Sequence, residues 1–356
     1  MSEDVEPPDT EQEEQELYEH HRFLIPKGQE LLRIDKFLVN TIANSTRTKI
    51  QQAAEEGCIQ VNGKNIKPNY RIKPDDVITV LLPHPVRVHE LLPENIPLNI
   101  FFEDDDIIIV NKPVNMVVHP GFGNYEGTLM NALVYHFQNL PVNNKQSVEP
   151  ELRPGLVHRI DKNTSGIIVI AKNELTMTRM AKKFFERDID RTYWALVWGD
   201  MKEESGTIEG NIGRSFKNRK LRTVFPKADF GKPAITHWKV IERLGYVTLI
   251  ECKLETGRTH QIRVHMQYIN HSLFNDNEYG GDRILKGTTF TKYKQFVENC
   301  FNLLPGQALH AKSLGFKHPT TKKYIHFDSE LPENFQALLE KWRHYMKYRG
   351  DEERAD

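Results

Sequence analysis

Apolar positions near the start of the chain change from a helical period to a strand period within residues 28–83. Four apolar side chains share one helical face there: Ile34, Phe37, Leu38 and Ile42. A second helix fits residues 46–56, and Gly57 closes it. Two strand signals and a hairpin-turn signal follow: residues 58–61, residues 77–81 and Asn62-Gly63. The pattern therefore predicts a small α/β domain in which two helices lead into a sheet.

The chain beyond residue 98 is rich in apolar and alternating runs that are typical of strands. The predicted strands are residues 106–110, 115–120, 167–171, 193–198 and 247–254. Helical periods fit residues 128–137 and 175–186. Helices fall between the strands without a regular βαβ repeat, so the pattern predicts an α+β domain with a mixed or antiparallel sheet.

These signals divide the chain into two domains and three connecting or terminal segments. We expect an acidic disordered tail at 1–24, the small domain at 25–84, a proline-containing linker at 85–98, the α+β domain at 99–346 and a charged tail at 347–356.

Charge is distributed unevenly along the chain. The net charge is −1, but residues 1–20 contain nine acids and no lysine or arginine. Without those acids the remainder has 48 basic residues against 49 − 9 = 40 acidic ones, a charge of +8. A basic body behind an acidic tail suits a polyanionic partner such as nucleic acid.

The cysteines and the longest apolar runs indicate the compartment. Cys58, Cys252 and Cys300 are widely separated and form no zinc-binding spacing, which favours a reducing environment. No apolar run approaches the roughly 20 residues of a membrane span, and the N-terminus has no export signal. We therefore expect a cytoplasmic protein that does not associate with membranes.

Residues 158–166, HRIDKNTSG, place one acid between bases in a loop that runs directly into the strand at 167–171. A strand fixes the position of such a carboxylate, which suits catalysis, but a solvated turn has the same pattern. Residues 256–266, TGRTHQIRVHM, open a helix with Arg258 and Arg263 near its N-terminus. The helix dipole disfavours cations there, so we expect a buried acid or a phosphate beside them.

Several chemistries are not indicated. His260 and His265 are five residues apart rather than the four of a helical zinc pair, and no acid or cysteine completes a metal site. No Walker loop or dinucleotide-binding glycine motif occurs, and Ser165 does not lie in a nucleophile elbow. The motifs therefore do not indicate a metal site, an NTPase, a dinucleotide-dependent enzyme or a serine hydrolase.

The small domain resembles an S4 RNA-binding domain. The resemblance rests on residues 33–38 (RIDKFL), Thr46-Arg47 with Ile50, and residues 57–63 (GCIQVNG). It implies that basic residues of the helical half bind an RNA backbone: Arg33, Lys36, Arg47 and Lys49.

The larger domain resembles the RluA family of RNA pseudouridine synthases over roughly residues 99–335. The matching segments occur in family order: 158–166, 193–195, 232–236, 257–263, 276–281 and 310–319. Ile160 stands where the family usually has leucine, which is a conservative change of similar volume. An S4-like domain in front is typical of the members that act on ribosomal RNA.

The resemblance implies that Asp161 is the catalytic acid of a cofactor-free conversion of uridine to pseudouridine in large-subunit ribosomal RNA. It implies that Arg263 pairs with Asp161, that Tyr193 stacks on the target base and that Arg159 helps to displace the nucleotide. Arg258 and His260 belong to the same substrate-binding set. The expected partner is ribosomal RNA or a precursor of the large ribosomal subunit, bound by a monomer.

Two other classes of function stay open from the sequence. An inactive member of the fold would serve as an RNA-binding or ribosome-assembly factor. A base-releasing glycosidase would liberate free uracil, which a synthase does not.

Overall fold

A computed structural model describes residues 17–27, 31–42, 45–82, 91–121, 123–138, 155–218, 221–227 and 229–352. The chain divides into two units, Met1–Glu90 and Leu91–Asp356. This division confirms the two-domain organisation. None of the helices in the described part combines the length and apolar composition that crossing a bilayer requires.

The first unit contains two helices and four strands. Its elements are β1 (Tyr18–Leu24), α1 (Ile34–Thr41), α2 (Arg47–Glu55), β2 (Ile59–Val61), β3 (Lys64–Asn65) and β4 (Val77–Leu82). The strands form an antiparallel sheet in the order β1-β4-β2-β3. Thr46 caps α2 by accepting a hydrogen bond from the backbone N–H of Lys49. Asn62 and Gly63 both have positive φ, at 51° and 73°, as the predicted hairpin turn requires.

Strand β1 corrects the prediction of a disordered tail at 1–24. Tyr18–Leu24 pairs with the open edge of β4, which satisfies the backbone groups of both strands. The ring of Phe23 also packs edge-on against Phe37, with 5.9 Å between ring centroids. Backbone pairing and one aromatic contact thus order a stretch that its composition grouped with the acidic tail. Residues 1–16 lie outside the described part.

The second unit is built on one sheet. Its strands are β5 (Ile100–Glu103), β6 (Ile107–Lys112), β7 (Gly155–Leu156), β8 (Ser165–Ala171), β9 (Asp190–Trp198), β10 (Ser205–Arg214), β11 (Arg222–Phe225), β12 (Lys232–Arg243), β13 (Val247–Leu254), β14 (Leu309–Lys317) and β15 (Tyr324–Asp328). Its helices are α3 (Leu129–Gln138), α4 (Glu174–Glu186), α5 (Gln261–Tyr268), α6 (Thr291–Phe301) and α7 (Glu333–Glu352).

The strand order is β11-β10-β12-β13-β9-β14-β8-β6-β5, with β7 paired to β8 and β15 paired to β14. Strands β14 and β8 run parallel and the other pairs are antiparallel, so the predicted α+β class with a mixed sheet is confirmed. Every residue of β8 is buried, as its apolar run predicts. The parallel pairing brings the start of β8, and the loop before it, beside β14 and β9.

The predicted strand at 115–120 is wrong. Asn115 has a positive φ of 64°, and residues 113–120 run as turns and irregular chain. The carbonyl groups of Val117 and Val118 accept hydrogen bonds from the first N–H groups of α3. Met116 and Val118 are nevertheless buried, because the loop itself contributes to the core. Their alternation therefore reflects burial without strand pairing.

The predicted linker and C-terminal tail also differ from the structure. Leu91, Ile96 and Leu98 pack against the main core of the second unit, so this part of 85–98 belongs to that unit. Helix α7 continues to Glu352, through the first six of the ten residues predicted as a tail at 347–356. Residues 83–90 and 353–356 lie outside the described part.

Gly166 allows the parallel contact on which the site's position depends. It pairs with Ala311 across β8 and β14 at a φ of +111°, and an added Cβ would overlap the Ala311 backbone. We expect Gly166→Ala to lower the free energy of unfolding by about 2 kcal/mol or more, because strain and backbone overlap combine. Chemical unfolding measures this loss. Gly121→Ala is the matched control, since a Cβ there meets nothing within 4 Å. Equal stability of the two variants would contradict the account.

Candidate active site

One cleft in the second unit brings together the predicted site residues of that unit. Its volume is about 520 Å³, within the range of small-molecule sites. All six predicted residues line it: Arg159, Asp161, Tyr193, Arg258, His260 and Arg263. Apolar side chains complete the wall, among them Leu156, Ile160, Phe184 and Leu254. The cleft thus combines a carboxylate, several cations and an apolar surface suited to a planar group.

The loop between β7 and β8 holds Asp161. The carbonyl of Asp161 accepts a hydrogen bond from the N–H of Thr164 at 3.1 Å. His158 accepts the N–H of Val169 on Nε2 at 3.0 Å and stacks on Phe184, with 4.6 Å between ring centroids. Burial lowers the pKa of His158 to about 3, so the ring stays neutral and can accept this bond. The motif histidine is therefore an anchor for the loop.

Lys112 fixes the same loop through hydrogen bonds from its buried side chain. Its fully buried ammonium group donates to the carbonyls of Pro113 at 2.7 Å, Met116 at 2.9 Å and Lys162 at 3.1 Å. Lys162 directly follows Asp161, so the third bond attaches the Asp161 loop to the end of β6. Burial lowers the pKa of Lys112 to about 7, and the attraction of Asp161 opposes that shift.

Arg263 connects three carboxylates. Its Nη1 lies 3.0 Å from Asp161 Oδ2, its Nε lies 2.7 Å from Asp276 Oδ2, and its Nη2 lies 2.8 Å from Asp276 Oδ1. Glu278 completes the set, with Oε2 at 2.5 Å from Nη2. The bidentate pair with Asp276 orients the guanidinium, which leaves Nη1 aimed at Asp161. Arg263 therefore both stabilises and positions the Asp161 carboxylate.

These acids explain a cation in the first turn of α5. Asp276 is fully buried and also accepts the N–H groups of Glu278 and Tyr279. Burial opposes a charge on Arg263, but the bonds to Asp276 outweigh it and raise the pKa of Arg263. The expectation of a buried acid beside this cation is confirmed.

Gln261 shapes the segment that precedes α5. Its side-chain oxygen accepts from the N–H of Arg258 at 2.9 Å and from the hydroxyl of Thr256 at 2.8 Å. Its amide nitrogen donates to Ile235 O at 2.9 Å, which attaches the loop to β12. His260 then takes a left-handed conformation, with φ 57°, immediately before the helix. The pattern of Thr, Gly and Gln in this motif thus builds a loop that directs His260 and Arg263 into the cleft.

His260 approaches Asp161 from the other side. Its Nε2 lies 3.9 Å from Asp161 Oδ1, and its Nδ1 lies 2.8 Å from the hydroxyl of Tyr279. That hydroxyl accepts the N–H of Arg222 at 3.1 Å and still has its own proton to donate to Nδ1 of a neutral imidazole. Burial lowers the pKa of His260, with Asp161 opposing, which favours this neutral form.

The remaining cleft residues differ in exposure. Tyr193 lies on β9 and is only 8% exposed, and burial raises the pKa of its hydroxyl. Arg159 is exposed at the mouth of the cleft. Arg258 is half-buried and donates from Nε to Pro233 O at 2.9 Å. A base against Tyr193 would therefore be enclosed, whereas Arg159 has room to move.

The four basic residues predicted in the first unit fall into two kinds. Arg33 and Arg47 lie 2.9 and 3.0 Å from the fully buried carboxylate of Asp35. Through Asp35 these two arginines link α1 to α2, and they also add positive charge to the surface of the domain. Lys36 and Lys49 are exposed and make no ion pair among the described residues.

Sequence reasoning missed several residues that shape the cleft. Lys112 follows an apolar strand, and a lysine at a strand end gives no signal of burial. Asp276 and Glu278 occur in the segment 276–281, 13 and 15 residues from Arg263, and no local pattern pairs them with that arginine. Only the fold brings them to Arg263.

One group of potential metal ligands occurs away from the cleft. Ligand atoms of Asp104, Asp106 and His318 lie within 4.8 Å of one another. His318 already accepts the N–H groups of Thr320 and Thr321 on Nδ1, and its Nε2 lies 2.9 Å from Asp104. Two backbone donors thus occupy Nδ1, whereas the buried Nε2 lies near Asp104 without a hydrogen bond.

Comparison with known proteins agrees with this geometry. Residues 106–268 match the family described as RNA pseudouridylate synthase, and residues 32–78 match the S4 domain. A Chlorobaculum parvum protein named uncharacterized RNA pseudouridine synthase is 46% identical over 90% of this chain and 97% of its own length. A Zymomonas mobilis protein named ribosomal large subunit pseudouridine synthase D is 38% identical over 86% of this chain and 92% of its own.

A solved human structure, RNA pseudouridylate synthase domain containing 4, shares the fold. It covers 69% of this chain and 93% of its own, with 20% identity and a TM-score of 0.53. The fold and the matches define an RNA-modifying isomerase. The chain belongs to the RluA family of RNA pseudouridine synthases and carries an S4 domain ahead of its synthase domain.

The depressed pKa of Lys112 predicts a pH-dependent contribution to stability. The unfolded pKa is about 10.4, so between pH 7 and 10 the unfolded chain binds more protons than the folded one. The stability contributed by Lys112 therefore rises with pH across that window. We expect the free energy of unfolding of the wild type, minus that of Lys112→Met, to increase from pH 7 to 9.

Chemical unfolding at several pH values measures this difference. Lys294→Met, at a lysine that is 68% exposed, is the control and should show no trend. A difference for Lys112→Met that stays flat or falls with pH would contradict the prediction.

Proposed function

We propose that the chain converts uridines of large-subunit ribosomal RNA to pseudouridine, with Asp161 as the catalytic carboxylate. The observation that carries the proposal is the ion pair of 3.0 Å between Asp161 and Arg263, in a cleft that Tyr193 also lines. The relatives named as ribosomal large subunit enzymes and the S4 domain support the choice of substrate.

The reaction breaks the N1–C1′ bond of uridine and forms a C5–C1′ bond. A proton leaves C5 and one is taken up at N1, so bonds rearrange within the substrate without a redox change. Asp161 acts as a carboxylate paired with Arg263, either by attack at C1′ or by removing a ribose proton. Neither route requires a cofactor or a metal.

The target uridine leaves its stack to reach Asp161. Unstacking costs a few kcal/mol, which contacts in the cleft must offset. Tyr193 presents a buried aromatic face to the base, and the apolar wall excludes water around it. Arg159, exposed at the mouth, fills the space that the base leaves in the RNA.

The proposed partner is ribosomal RNA or a precursor of the large subunit, bound by a monomer. Lys36 and Lys49 offer free charges to the phosphate backbone, and Arg33 and Arg47 contribute beside them. In this proposal the S4 domain supplies affinity for the RNA backbone and the larger domain supplies the chemistry. Activity in the cytoplasm fits such a substrate.

Asp161→Asn tests the catalytic assignment. The change keeps the side-chain shape and removes the charge, so we expect purified protein to lose roughly 10⁴-fold or more of its pseudouridine formation on ribosomal RNA. Asp200→Asn, at an acid that is 59% exposed, is the matched control and should keep wild-type activity. An active Asp161→Asn protein would refute the assignment, and free uracil from the wild type would indicate a glycosidase.

The S4 lysines are tested by the salt dependence of binding. Neutralising two phosphate contacts in Lys36→Gln/Lys49→Gln should weaken RNA binding and reduce the slope of log K against log salt by roughly 1.4 to 1.8. The free energy of unfolding should not change, since neither lysine supports the fold. The control Lys64→Gln/Lys67→Gln removes the same charge from exposed positions on the sheet side. Identical slopes for both double variants would refute the assignment of this surface.

A further inference from the structure

Arg191 is a buried cation in the cleft for which neither the fold nor the proposed chemistry supplies a role. It lies on β9, two residues before Tyr193, and residues at that spacing face the same side of a strand. Only 9% of Arg191 is exposed, and it borders the same cleft as Asp161.

Arg191 has no acid to balance it within the described ranges. Its one hydrogen bond, from Nη2 to Leu254 O, is long at 3.4 Å, and its Nε is buried without an acceptor. Asp190 and Glu255 border a second cavity with it but are engaged elsewhere. Asp190 accepts the hydroxyl of Tyr324, and Glu255 pairs with Arg187 and His237.

The surroundings hold the guanidinium in place. Its Cζ lies 5.4 Å from the ring centroid of Phe184, in a cation–π contact. On another side lies Gly257 of the Gly-Arg-Thr-His motif, where an added Cβ would come within 3.0 Å of Arg191 Nη1. The motif glycine therefore leaves the space that the head of Arg191 uses.

A buried charge without a partner is unfavourable, and proteins normally pair it or supply it with a ligand. A guanidinium that is held at a cleft wall with only one long hydrogen bond fits an anionic oxygen. We propose that Arg191 binds a negatively charged oxygen of the target nucleotide, an inference that rests on the proposed function.

Two groups of that nucleotide offer this chemistry. A phosphodiester beside the target uridine is charged already in the bound RNA. The uracil oxygens become charged when the electron pair of the N1–C1′ bond passes to N1 and is shared with O2 and O4, until C5–C1′ forms. A contact from Arg191 to the phosphodiester would strengthen RNA binding, whereas a contact to the uracil oxygens would accelerate the chemical step.

The test compares Arg191→Met with Arg191→Lys in single-turnover reactions on an RNA that the wild type modifies. Met keeps an unbranched apolar stem and loses the charge, whereas Lys keeps both. We expect Arg191→Met to lower the rate constant divided by Kd by roughly 10- to 100-fold, and Arg191→Lys to keep most of the wild-type value. Lys294→Met, on the exposed face of α6, controls for loss of charge and should match the wild type.

The same reactions identify which of the two anionic groups Arg191 binds. If the phosphodiester is bound, Met raises Kd, and its effect disappears on RNA with uncharged methylphosphonates flanking the target uridine. If uracil oxygens are bound, Met lowers the maximal rate and its effect persists on that RNA. Gly257→Ala, which crowds Nη1 without removing charge, should impair the same parameter and serves if Arg191→Met does not fold.

Three results for the rate constant divided by Kd would overturn the inference. They are a value for Arg191→Lys no better than that for Arg191→Met, a value for Arg191→Met within twofold of the wild type, or a Lys294→Met protein as impaired as Arg191→Met. Each of these would remove the support for a specific contact between Arg191 and an anionic oxygen. A wild type that modifies no RNA would instead refute the proposed function, so the two failures are distinguishable.

Discussion

The site depends on the guanidinium of Arg263. A charge that is almost fully buried is unfavourable by itself, and Asp276 makes it tolerable through two parallel hydrogen bonds. Because Asp276 fixes the plane of the guanidinium, the remaining Nη1 can only point towards Asp161. The orientation of the proposed catalytic carboxylate is therefore set by an acid that does not face the substrate.

The loop that carries Asp161 is fixed independently from several directions. Lys112 holds the carbonyl of Lys162, His158 holds β8, and Gly166 lets β8 approach β14. Burial keeps the His158 imidazole neutral, so it accepts, and three backbone carbonyl oxygens compensate the burial of the Lys112 amino group. A preorganised carboxylate is what a reaction without a metal or a cofactor requires.

The sequence predicted the parts of this arrangement that depend on local pattern. Strand β13 has the predicted bounds, and the apolar run after the Asp161 loop is the buried strand β8. The segment at 115–120 failed because Met116 and Val118 alternate in a buried loop whose carbonyls bind Lys112 and α3. Lys112 and Asp276 could not be predicted, since their roles depend on contacts across the fold. The resemblance named the cleft residues, whereas the environment of Arg191 became visible only in three dimensions.

The central claim is that Asp161 converts uridines of the large ribosomal RNA. The most direct measurement maps pseudouridines across total RNA from wild-type cells, from cells that lack this protein, and from those cells supplied with either the wild-type or the Asp161→Asn chain. The account predicts that defined large-subunit sites lose pseudouridine without the protein and regain it only with the wild-type chain. Unchanged sites in the deletion, or their restoration by Asp161→Asn, would contradict it.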